Sequence, residues 1–504
     1  MKNRKKNFIN IFVLLFLTIF PLAFDNYYFN ITVTKYIVFA FLSLSIFFVG
    51  LFYSLSANIE QNGTLKISSF SRCLKQLNLS DRLFLLLLMT ASFSCLISEW
   101  RLPALSGGCG KYIGLIFMLL TGGLYYGITR HMTLNEYVKY SFPIILSLIS
   151  LMSVIQFCGY DIFGFYKNIA NAHMYIATFG HIDVFSAFLS VYLPICLYLF
   201  CHTGDGEVLL YGCGCFMGFF AVFSSNSDSS YIGLIISMII LLVLTFFDTD
   251  KLKRYAILLF LLSLSAVLWR CLVFVFGAYM REISALTTHC TSVKMILSFL
   301  ITDSIILSIW FYFHRQKKAP PKWIPYFLSA FFTAALLLLF LLFIWFSVFD
   351  TEYNIGEWEN YLRFNNHWGS DRGYVWKWLF QFFCFSPFFI KLFGAGPDTT
   401  ALILYKHFKS EMSDELGVYY ASAHNEYLNY LVTIGLLGTL LYIAVLIISV
   451  IKCFQKRSTD AFFGATGLAI IAYSGMAAVN ISQPITMPFI YLLIAFANLR
   501  SLDK

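Results

Sequence analysis

Residues 325–349 read PYFLSAFFTAALLLLFLLFIWFSVF, a run with no charged side chain. As a helix it would rise about 37 Å, which is enough to cross about 30 Å of membrane hydrocarbon. Comparable runs recur along the chain, which is 59% hydrophobic and only 12% charged over 504 residues. A single soluble core of this size cannot bury so many apolar side chains. The composition therefore predicts an all-α, polytopic integral membrane protein.

About fourteen apolar runs are long enough to be membrane-spanning helices. Their approximate limits are residues 7–23, 31–55, 83–98, 112–128, 139–158, 184–201, 207–223, 231–246, 256–277, 293–313, 325–349, 427–451, 461–479 and 484–498. The first run has a basic start, but Leu22 to Asp25 is a poor small-residue cleavage site. We therefore expect a retained helix there rather than a cleaved signal sequence.

Basic residues test this map, because loops rich in Lys and Arg stay in the cytoplasm. With the N-terminus inside, the basic clusters fall in the cytoplasmic gaps, and the short outer loops are poorer in them. The clusters are Lys2, Arg4, Lys5 and Lys6; Lys66, Arg72, Lys75 and Arg82; Lys251, Lys253 and Arg254; Arg315, Lys317, Lys318 and Lys322; Lys452, Lys456 and Arg457. This pattern predicts cytoplasmic N- and C-termini, and it accounts for the net charge of +9 without a nucleic-acid partner.

The long segment between the eleventh and twelfth runs differs from the other loops. It covers residues 350–426 on the predicted outer side, far beyond the usual length of a connection, and such segments tend to be functional or disordered. Its aromatic content favours an ordered fold. The tryptophans are Trp358, Trp368, Trp376 and Trp378. The stretch from Tyr374 to Pro387 has the pattern of a helix on the outer leaflet, where it would form a lid or wall over a membrane-surface site.

The sequence contains no sign of a second domain, a metal centre or a cofactor. No repeat or linker interrupts it, so an N-terminal bundle (1–349), the outer loop (350–426) and C-terminal helices (427–504) are expected to form one membrane domain. The twelve cysteines lie mostly in apolar runs without CxxC pairs, and no HExxH-like spacing is present.

His424 stands where the outer loop runs into an apolar helix, in the sequence AHNEYL at residues 423–428. Because a histidine exchanges a proton near neutral pH, it is a candidate catalytic base. Asn425 and Glu426 are expected to orient its ring, with Glu426 holding the tautomer that a base needs. The alternative is a structural histidine that caps the helix.

Arg372 opens the predicted surface helix in the stretch DRGYVW at residues 371–376. An arginine beside the exposed N–H groups of a helix N-terminus suits a phosphate or diphosphate. Pairing with Asp371 or with lipid headgroups is an equal alternative. A tight turn containing Gly394 and Gly396 is predicted to close this helix.

Other unusual polar residues collect on the predicted outer face. His181 and Asp183 precede the sixth run, Asp228 lies in a serine-rich turn before the eighth, and Arg101 and Lys111 precede the fourth. For His181 and Asp183, a role as helix caps weighs at least as much as ligand binding, and an N-cap is favoured for Asp228. Since the cytoplasmic loops hold few such groups, any chemistry is predicted on the outer face.

Together these residues resemble the signature of the O-antigen ligase and polymerase superfamily of bacterial envelope glycosyltransferases. That signature is Arg-x-x-x-Trp early in a large outer loop, then Pro and Gly-x-Gly, then His-Asn-Glu-Tyr-Leu followed by Gly-Leu-x-Gly. The matching residues are Arg372 and Trp376; Pro387, Gly394 and Gly396; and His424 to Leu428 with Gly435, Leu436 and Gly438. The resemblance covers about residues 368–450, and weaker echoes lie at 178–180 and 227–234.

The resemblance implies a GT-C-like membrane fold in the bacterial plasma membrane. It implies transfer of a glycan from a polyprenyl-diphosphate carrier to an acceptor hydroxyl at the outer face, without a nucleotide sugar, an essential metal or a cofactor. His424 would activate the acceptor, Arg372 would anchor the diphosphate, and the anomeric carbon would be inverted. The implied partners are an undecaprenyl-diphosphate-linked oligosaccharide, a glycan or lipid-linked acceptor, membrane lipid and other polysaccharide assembly proteins. The residues expected to bind substrate are Arg363, Asp371, Trp376, Gly394, Gly396, Asn425, Glu426, Asp228, His181, Asp183, Lys111 and Arg101.

Two positions depart from the family pattern. Many members have an arginine in a Ser-Arg-Gly turn before the middle helix, where this chain reads SDS at residues 227–229. A second cation for the diphosphate must then come from elsewhere, with Arg363, Lys111 and Arg101 as candidates. Residues 433–434 are Thr-Ile, where an acidic residue is frequent.

Three alternatives stay open at this point. A polymerase and a ligase share the implied chemistry and differ in the acceptor. A lipid-linked oligosaccharide flippase or another transporter could also have about fourteen spans, although transporters tend to show repeats and polar residues near mid-membrane. An inactive scaffold in an export complex would keep the helices and tolerate the loss of His424.

Overall fold

The computed structural model describes residues 2–62, 77–166 and 172–500. Within these residues the chain is almost wholly helical, and its one small sheet pairs β1 (Tyr175–Ile176) antiparallel with β2 (Gly180–His181). Lys66, Arg72 and Lys75, which belong to a predicted cytoplasmic cluster, lie outside the described residues.

The helices follow one another with short connections. The first thirteen are α1 (Lys2–Leu22), α2 (Ile31–Asn62), α3 (Leu79–Ile97), α4 (Arg101–Ser106), α5 (Leu115–His131), α6 (Glu136–Phe157), α7 (Ile182–His202), α8 (Asp205–Ser225), α9 (Asp228–Thr245), α10 (Thr249–Phe276), α11 (Ala285–Cys290), α12 (Val293–Arg315) and α13 (Trp323–Ile344), which continues as a π turn (Trp345–Phe349). The others are α14 (Glu359–Leu362), α15 (Trp368–Phe385), α16 (Phe388–Phe393), α17 (Thr400–Glu411), α18 (Glu426–Thr433), α19 (Gly435–Lys456), α20 (Ala461–Ala477) and α21 (Met487–Ala497).

Every predicted apolar run coincides with helical structure. Among the described residues, ten helices are long and apolar enough to cross a membrane: α2, α3, α6, α7, α8, α9, α10, α12, α13 with its π turn, and α19. The apolar parts of α1, α20 and α21 are shorter, and the run at 112–128 forms α5. The all-α, polytopic membrane architecture is confirmed. The count of about fourteen crossings and the orientation of the termini stay predictions.

Helix α7 lies at the centre of the bundle. Its apolar stretch is wholly buried, and the helix packs against α8, α9 and α20. A helix that is apolar on every face is expected in such a position. Its first turn carries Asp183, so this carboxylate stands at one end of the most enclosed helix of the protein.

The predicted run at 427–451 is broken at Ile434, which separates α18 from α19. Because α18 ends there, the carbonyls of its last turn need partners outside the helix. Ala395 N–H donates to Val432 O (2.9 Å), and Gly396 N–H donates to Thr433 O (2.9 Å). The backbone of the outer loop therefore completes the hydrogen bonding of a broken membrane helix.

Gly394 and Gly396 permit this close approach. Their φ angles are +84° and +119°, in the region that favours glycine. A Cβ at position 394 would lie 2.2 Å from Thr433 O, and one at 396 would lie 2.5 Å from Ser98 Oγ. These glycines were expected to bind substrate, whereas the structure uses them to dock the loop. The turn they form follows α16 and does not close the surface helix α15.

The segment 350–426 folds around a small apolar core that it shares with Val432 of α18. The buried side chains of this core are Val375, Trp378, Leu379, Ala395, Ile403, Leu404, Phe408, Met412, Ala423 and Val432. Helix α15 covers most of the stretch predicted to be helical. Gly369, Ser370 and Asp371 have left-handed angles, so its regular turns begin at Arg372. The position of this helix on the outer leaflet stays a prediction.

We expect Gly394→Ala to destabilise the protein far more than Gly417→Ala. Gly417 also has a positive φ (+65°), but no atom lies within 4 Å of a Cβ added there. Its substitution should lower the free energy of unfolding by about 1 kcal/mol through the backbone angle alone. At Gly394 the clash with Thr433 O should add about 3 kcal/mol. Thermal unfolding in detergent measures both, and equal losses would contradict the docking role.

Candidate active site

Three predicted site residues from separate parts of the chain meet at one carboxylate. Asp183 Oδ2, at the start of α7, lies 3.4 Å from Arg372 Nη2 and 4.0 Å from His424 Nδ1. His181 Nδ1 lies 3.8 Å from the same oxygen. The structure therefore brings together two residues of the outer loop and two from the entrance to α7.

Hydrogen bonds from Ser227 and Asn480 hold Asp183 in place. Ser227 Oγ donates to Asp183 Oδ1 (2.7 Å), and Asn480 Nδ2 donates to the Asp183 carbonyl (2.8 Å). Asn480 also donates to Ser186 Oγ (2.9 Å), which pairs with Ser229 Oγ at 2.6 Å. Sequence reasoning missed Asn480, for which the available signal was an amide side chain in the gap between two apolar runs. The network fixes the carboxylate before any ligand arrives.

Arg372 links α15 to the bundle. Its Nη1 donates to Val479 O (2.9 Å), and its Nη2 faces Asp183. The alternative pairing with Asp371 is not formed, because Asp371 Oδ1 pairs with His367 Nδ1 at 2.8 Å. The Arg372 side chain is 20% exposed and stands at the first regular turn of α15, where the helix dipole adds to its positive potential.

The surroundings of His424 favour the uncharged form of its ring. Its φ is +48°, its side chain is 19% exposed, and its Nδ1 has no hydrogen-bond partner among the described residues. Burial and the Arg372 guanidinium lower the pKa of His424 well below its usual range, with further lowering by Lys111 and His181 and opposition from Asp183. The ring is therefore uncharged at neutral pH and has a nitrogen free to accept a proton.

Trp376 fixes the chain just before His424. Its Nε1–H donates to Ala423 O (2.8 Å), and its ring packs against Trp368 at 5.0 Å. Trp376 follows Arg372 by one helical turn and so shares its face of α15. The Arg-x-x-x-Trp spacing thus lets one helix face contact both α7 and the His424 segment.

Asn425 and Glu426 do not orient the His424 ring, and this expectation is wrong. The Asn425 side chain caps α18, so His424 is not the cap either. The Glu426 carboxylate is buried and accepts hydrogen bonds from Tyr442 and from Tyr473 (2.9 Å). The carboxylate beside the ring comes from α7 instead.

Arg363 is not available as a second cation for a diphosphate. Its Nη1 forms an ion pair with Glu359 (2.6 Å), and its other donors bind the carbonyls of Phe346 (3.1 Å), Asp350 (3.2 Å) and Tyr353. These bonds join Arg363 to the end of α13 and its π turn and to the residues that follow. The expectation that Arg363 binds substrate is therefore corrected.

Lys111 is the candidate cation that the structure brings to the site. Its Nζ donates to Ala421 O, close before His424, and its charge acts on the pKa of His424. Burial lowers the pKa of Lys111 to about 8, against the opposing effect of Asp398. Arg101 is exposed at the start of α4, and no contact joins its side chain to the site in the part of the chain that the structure describes.

His181 has the cap position that was weighed for it, whereas the expectation that Asp228 is an N-cap is wrong. His181 is the N-cap of α7, where its Nδ1 accepts from Asp183 N–H (3.2 Å), and burial lowers the pKa of its ring. Asp228 is the first residue of α9, and Ser227 takes the N-cap position. The Asp228 carboxylate accepts from Tyr361 O–H (3.2 Å), which ties the outer loop to α9.

Residues 291–443 match the family model described as O-Antigen ligase. This match supports the resemblance of the chain to the O-antigen ligase and polymerase superfamily. The matched range includes Arg372, Trp376 and His424 and extends back through α12 and α13, whereas Asp183 and Lys111 lie outside it. No curated protein matches the chain. The matched domain associates this protein with envelope polysaccharide biosynthesis. Over residues 2–62, 77–166 and 172–500, no group of three or more His, Cys, Asp or Glu is placed to hold a metal ion.

We expect Trp376→Phe to loosen the His424 segment of this O-antigen ligase relative. The change leaves Ala423 O without its donor, which should raise the local opening equilibrium about fivefold or more. Trp368→Phe is the matched control, because Trp368 Nε1 has no partner among the described residues. The rate of His424 modification by diethyl pyrocarbonate, read by peptide mass spectrometry, should rise only in Trp376→Phe. Equal rates in both variants would contradict the assigned role.

Proposed function

We propose that this protein transfers a glycan from a polyprenyl-diphosphate carrier to an acceptor hydroxyl, as a repeat-unit polymerase or an O-antigen-type ligase of the bacterial plasma membrane. The observation that carries the proposal is the meeting of His424 and Arg372 at Asp183. A neutral base and a permanent cation at one place are the two groups that such a transfer needs.

Arg372 would bind the diphosphate of the donor. A guanidinium forms paired hydrogen bonds with phosphate oxygens, and its charge stabilises the negative charge that develops on the leaving group. The Arg372 side chain is held by Val479 O and Asp183, so its position is set in advance. Lys111 would supply a second positive charge in place of the arginine that many relatives have at the position of Asp228.

His424 would take the proton of the acceptor hydroxyl. As the acceptor oxygen forms its bond to the anomeric carbon, the bond from that carbon to the diphosphate oxygen breaks. The proton passes to the imidazole, the electron pair leaves on the diphosphate, and the anomeric configuration inverts. The Asp183 carboxylate, 4.0 Å from His424 Nδ1, would stabilise the imidazolium that results.

One buried charge bears on the transporter alternative. Lys35 lies within α2 and is fully buried. Buried basic residues of this kind line the transport path in many transporters. Its Nζ donates to the carbonyls of Phe20 (2.9 Å) and Pro21 (2.8 Å), and so it satisfies the end of α1. This structural use of Lys35 favours the transferase over a transporter.

A deletion strain complemented with wild type or with variants tests the proposal. His424→Ala removes the proposed base and should lower transfer about 10²-fold to 10⁴-fold, so that lipid-linked glycan accumulates. Arg372→Ala should accumulate the same intermediate. Extraction of lipid-linked glycans and gel analysis of the polysaccharide measure both, at matched membrane expression. A ladder of product sizes in the wild type indicates a polymerase, and transfer without a ladder indicates a ligase.

His367→Ala is the control for this experiment, because His367 is another loop histidine, 69% exposed and paired with Asp371. It should restore the product. If His424→Ala and Arg372→Ala also restore the polysaccharide product fully, the result favours the scaffold or transporter alternatives.

The pH dependence of transfer should report the environment of His424. The ordinary pKa of histidine is about 6.5, and burial and Arg372 lower the pKa of His424 below that value. Wild-type activity should therefore persist below pH 6.5 and fall only when the His424 ring becomes protonated. Arg372→Gln removes one of these causes and should move the acidic limb of kcat/KM to higher pH. Arg101→Gln changes the same charge away from the site and should leave the limb in place. A limb that stays or moves to lower pH in Arg372→Gln would exclude His424 as the titrating group.

A further inference from the structure

A second cavity lies on the far side of α15 from the candidate active site. It has a volume of about 630 Å³, within the range of small-molecule sites. Trp100 from the turn after α3, Gln381 and Phe382 from α15, and Glu411 from α17 contribute to its wall. Gln381 lies about half a turn around the helix and about 14 Å along its axis from Arg372. The two sites are therefore separate.

The cavity combines aromatic surface with hydrogen-bonding groups. Trp100, Phe382 and Phe408 provide the aromatic part, and Phe408 is held in place by stacking on Trp378 at 5.8 Å. The His407 ring lies 5.3 Å from that of Phe382. Apolar ring faces pack against the C–H faces of sugars, while amide and carboxylate oxygens accept hydrogen bonds from sugar hydroxyls.

The charges of the cavity disfavour an anionic ligand. Lys406 Nζ donates to both oxygens of Glu99 (2.6 and 2.7 Å) and lies 5.4 Å from the Trp100 ring. Its positive charge is therefore already paired. Glu411 is a further carboxylate, whose Oε2 accepts from Ser410 O–H at 2.9 Å. A diphosphate would meet net negative charge here, whereas a neutral, hydroxyl-rich ligand would not.

The cavity opens near the expected membrane surface. Glu99 follows the end of α3 directly, and the exposed rings of Phe385 (83%) and Phe388 (70%) lie beside it. Phe385 ends α15 and Phe388 begins α16, and exposed aromatic rings are typical of the interface between lipid and water. Sugars carried on a membrane lipid would pass at this level.

We propose that this cavity binds sugar residues of the glycan substrate that are remote from the reacting bond. The inference rests on the proposed function. Because Arg372 and His424 lie across α15, the sugar held here is not the one that reacts. Retaining it keeps the glycan on the enzyme, so the cavity sets the apparent affinity for glycans and the length of the product.

Direct binding tests the cavity without requiring turnover. The probe is the oligosaccharide pool released by mild acid from the lipid-linked glycans of the deletion strain, added to purified protein in nanodiscs. Trp100→Ala and Glu411→Gln should each raise the dissociation constant about tenfold. Glu411→Gln is conservative and exposed, so it remains informative if Trp100→Ala fails to fold. Phe388→Ala, beside the cavity, is the matched control and should bind as the wild type does.

Two further results separate this inference from the proposed function. His424→Ala should bind the oligosaccharides normally although it loses transfer, whereas normal binding by a wild-type protein that shows no transfer would overturn the proposed function alone. In transfer assays the cavity variants should raise KM about tenfold at nearly constant kcat and shorten the product. Varying the glycan length of the donor and of the acceptor in turn shows which one the cavity holds. Unchanged binding in both Trp100→Ala and Glu411→Gln would overturn the inference.

Discussion

Two backbone hydrogen bonds, from Ala395 to Val432 and from Gly396 to Thr433, join the outer segment to the membrane bundle. An unpartnered carbonyl in hydrocarbon costs several kcal/mol, and the loop supplies backbone donors at the break, where Ser94 Oγ of α3 also donates to Thr433 O (2.8 Å). The start of α18, and hence His424, lies beside the start of α7. The candidate site thus depends on a backbone contact that uses no functional side chain.

One carboxylate organises the charges around that site. Asp183 faces Arg372, His181 and His424 together, and its own position is fixed by the serine and amide groups beneath it. Arg372 acts twice, since it faces the expected diphosphate position and also helps to keep the His424 ring uncharged. Electrostatic preorganisation of this kind needs no rearrangement when a substrate binds.

The helices could be predicted from local sequence patterns, but contacts between residues distant in sequence could not. Apolar runs identify membrane helices because hydropathy is a local property. Glu426 follows His424 closely in sequence, yet it starts a helix whose geometry aims it at Tyr473 in the bundle. Arg363 looked like a free cation because the sequence cannot show that carbonyls of the same loop use its donors. Asp183 was recognised as unusual, but its partners come from distant segments.

Helix α13 and its π turn, residues 323–349, are nearly unburied within the chain, as expected of a helix that faces lipid. Their combined length of about 40 Å exceeds the hydrocarbon thickness of about 30 Å. Hydrophobic mismatch follows, and the helix must tilt or the bilayer must thicken around it. Because Arg363 binds the carbonyls of Phe346 and Asp350 at the C-terminal end of this helix, a change in its tilt would act on the chain that leads into α15. Bilayer thickness is therefore mechanically coupled to the segment that carries Arg372.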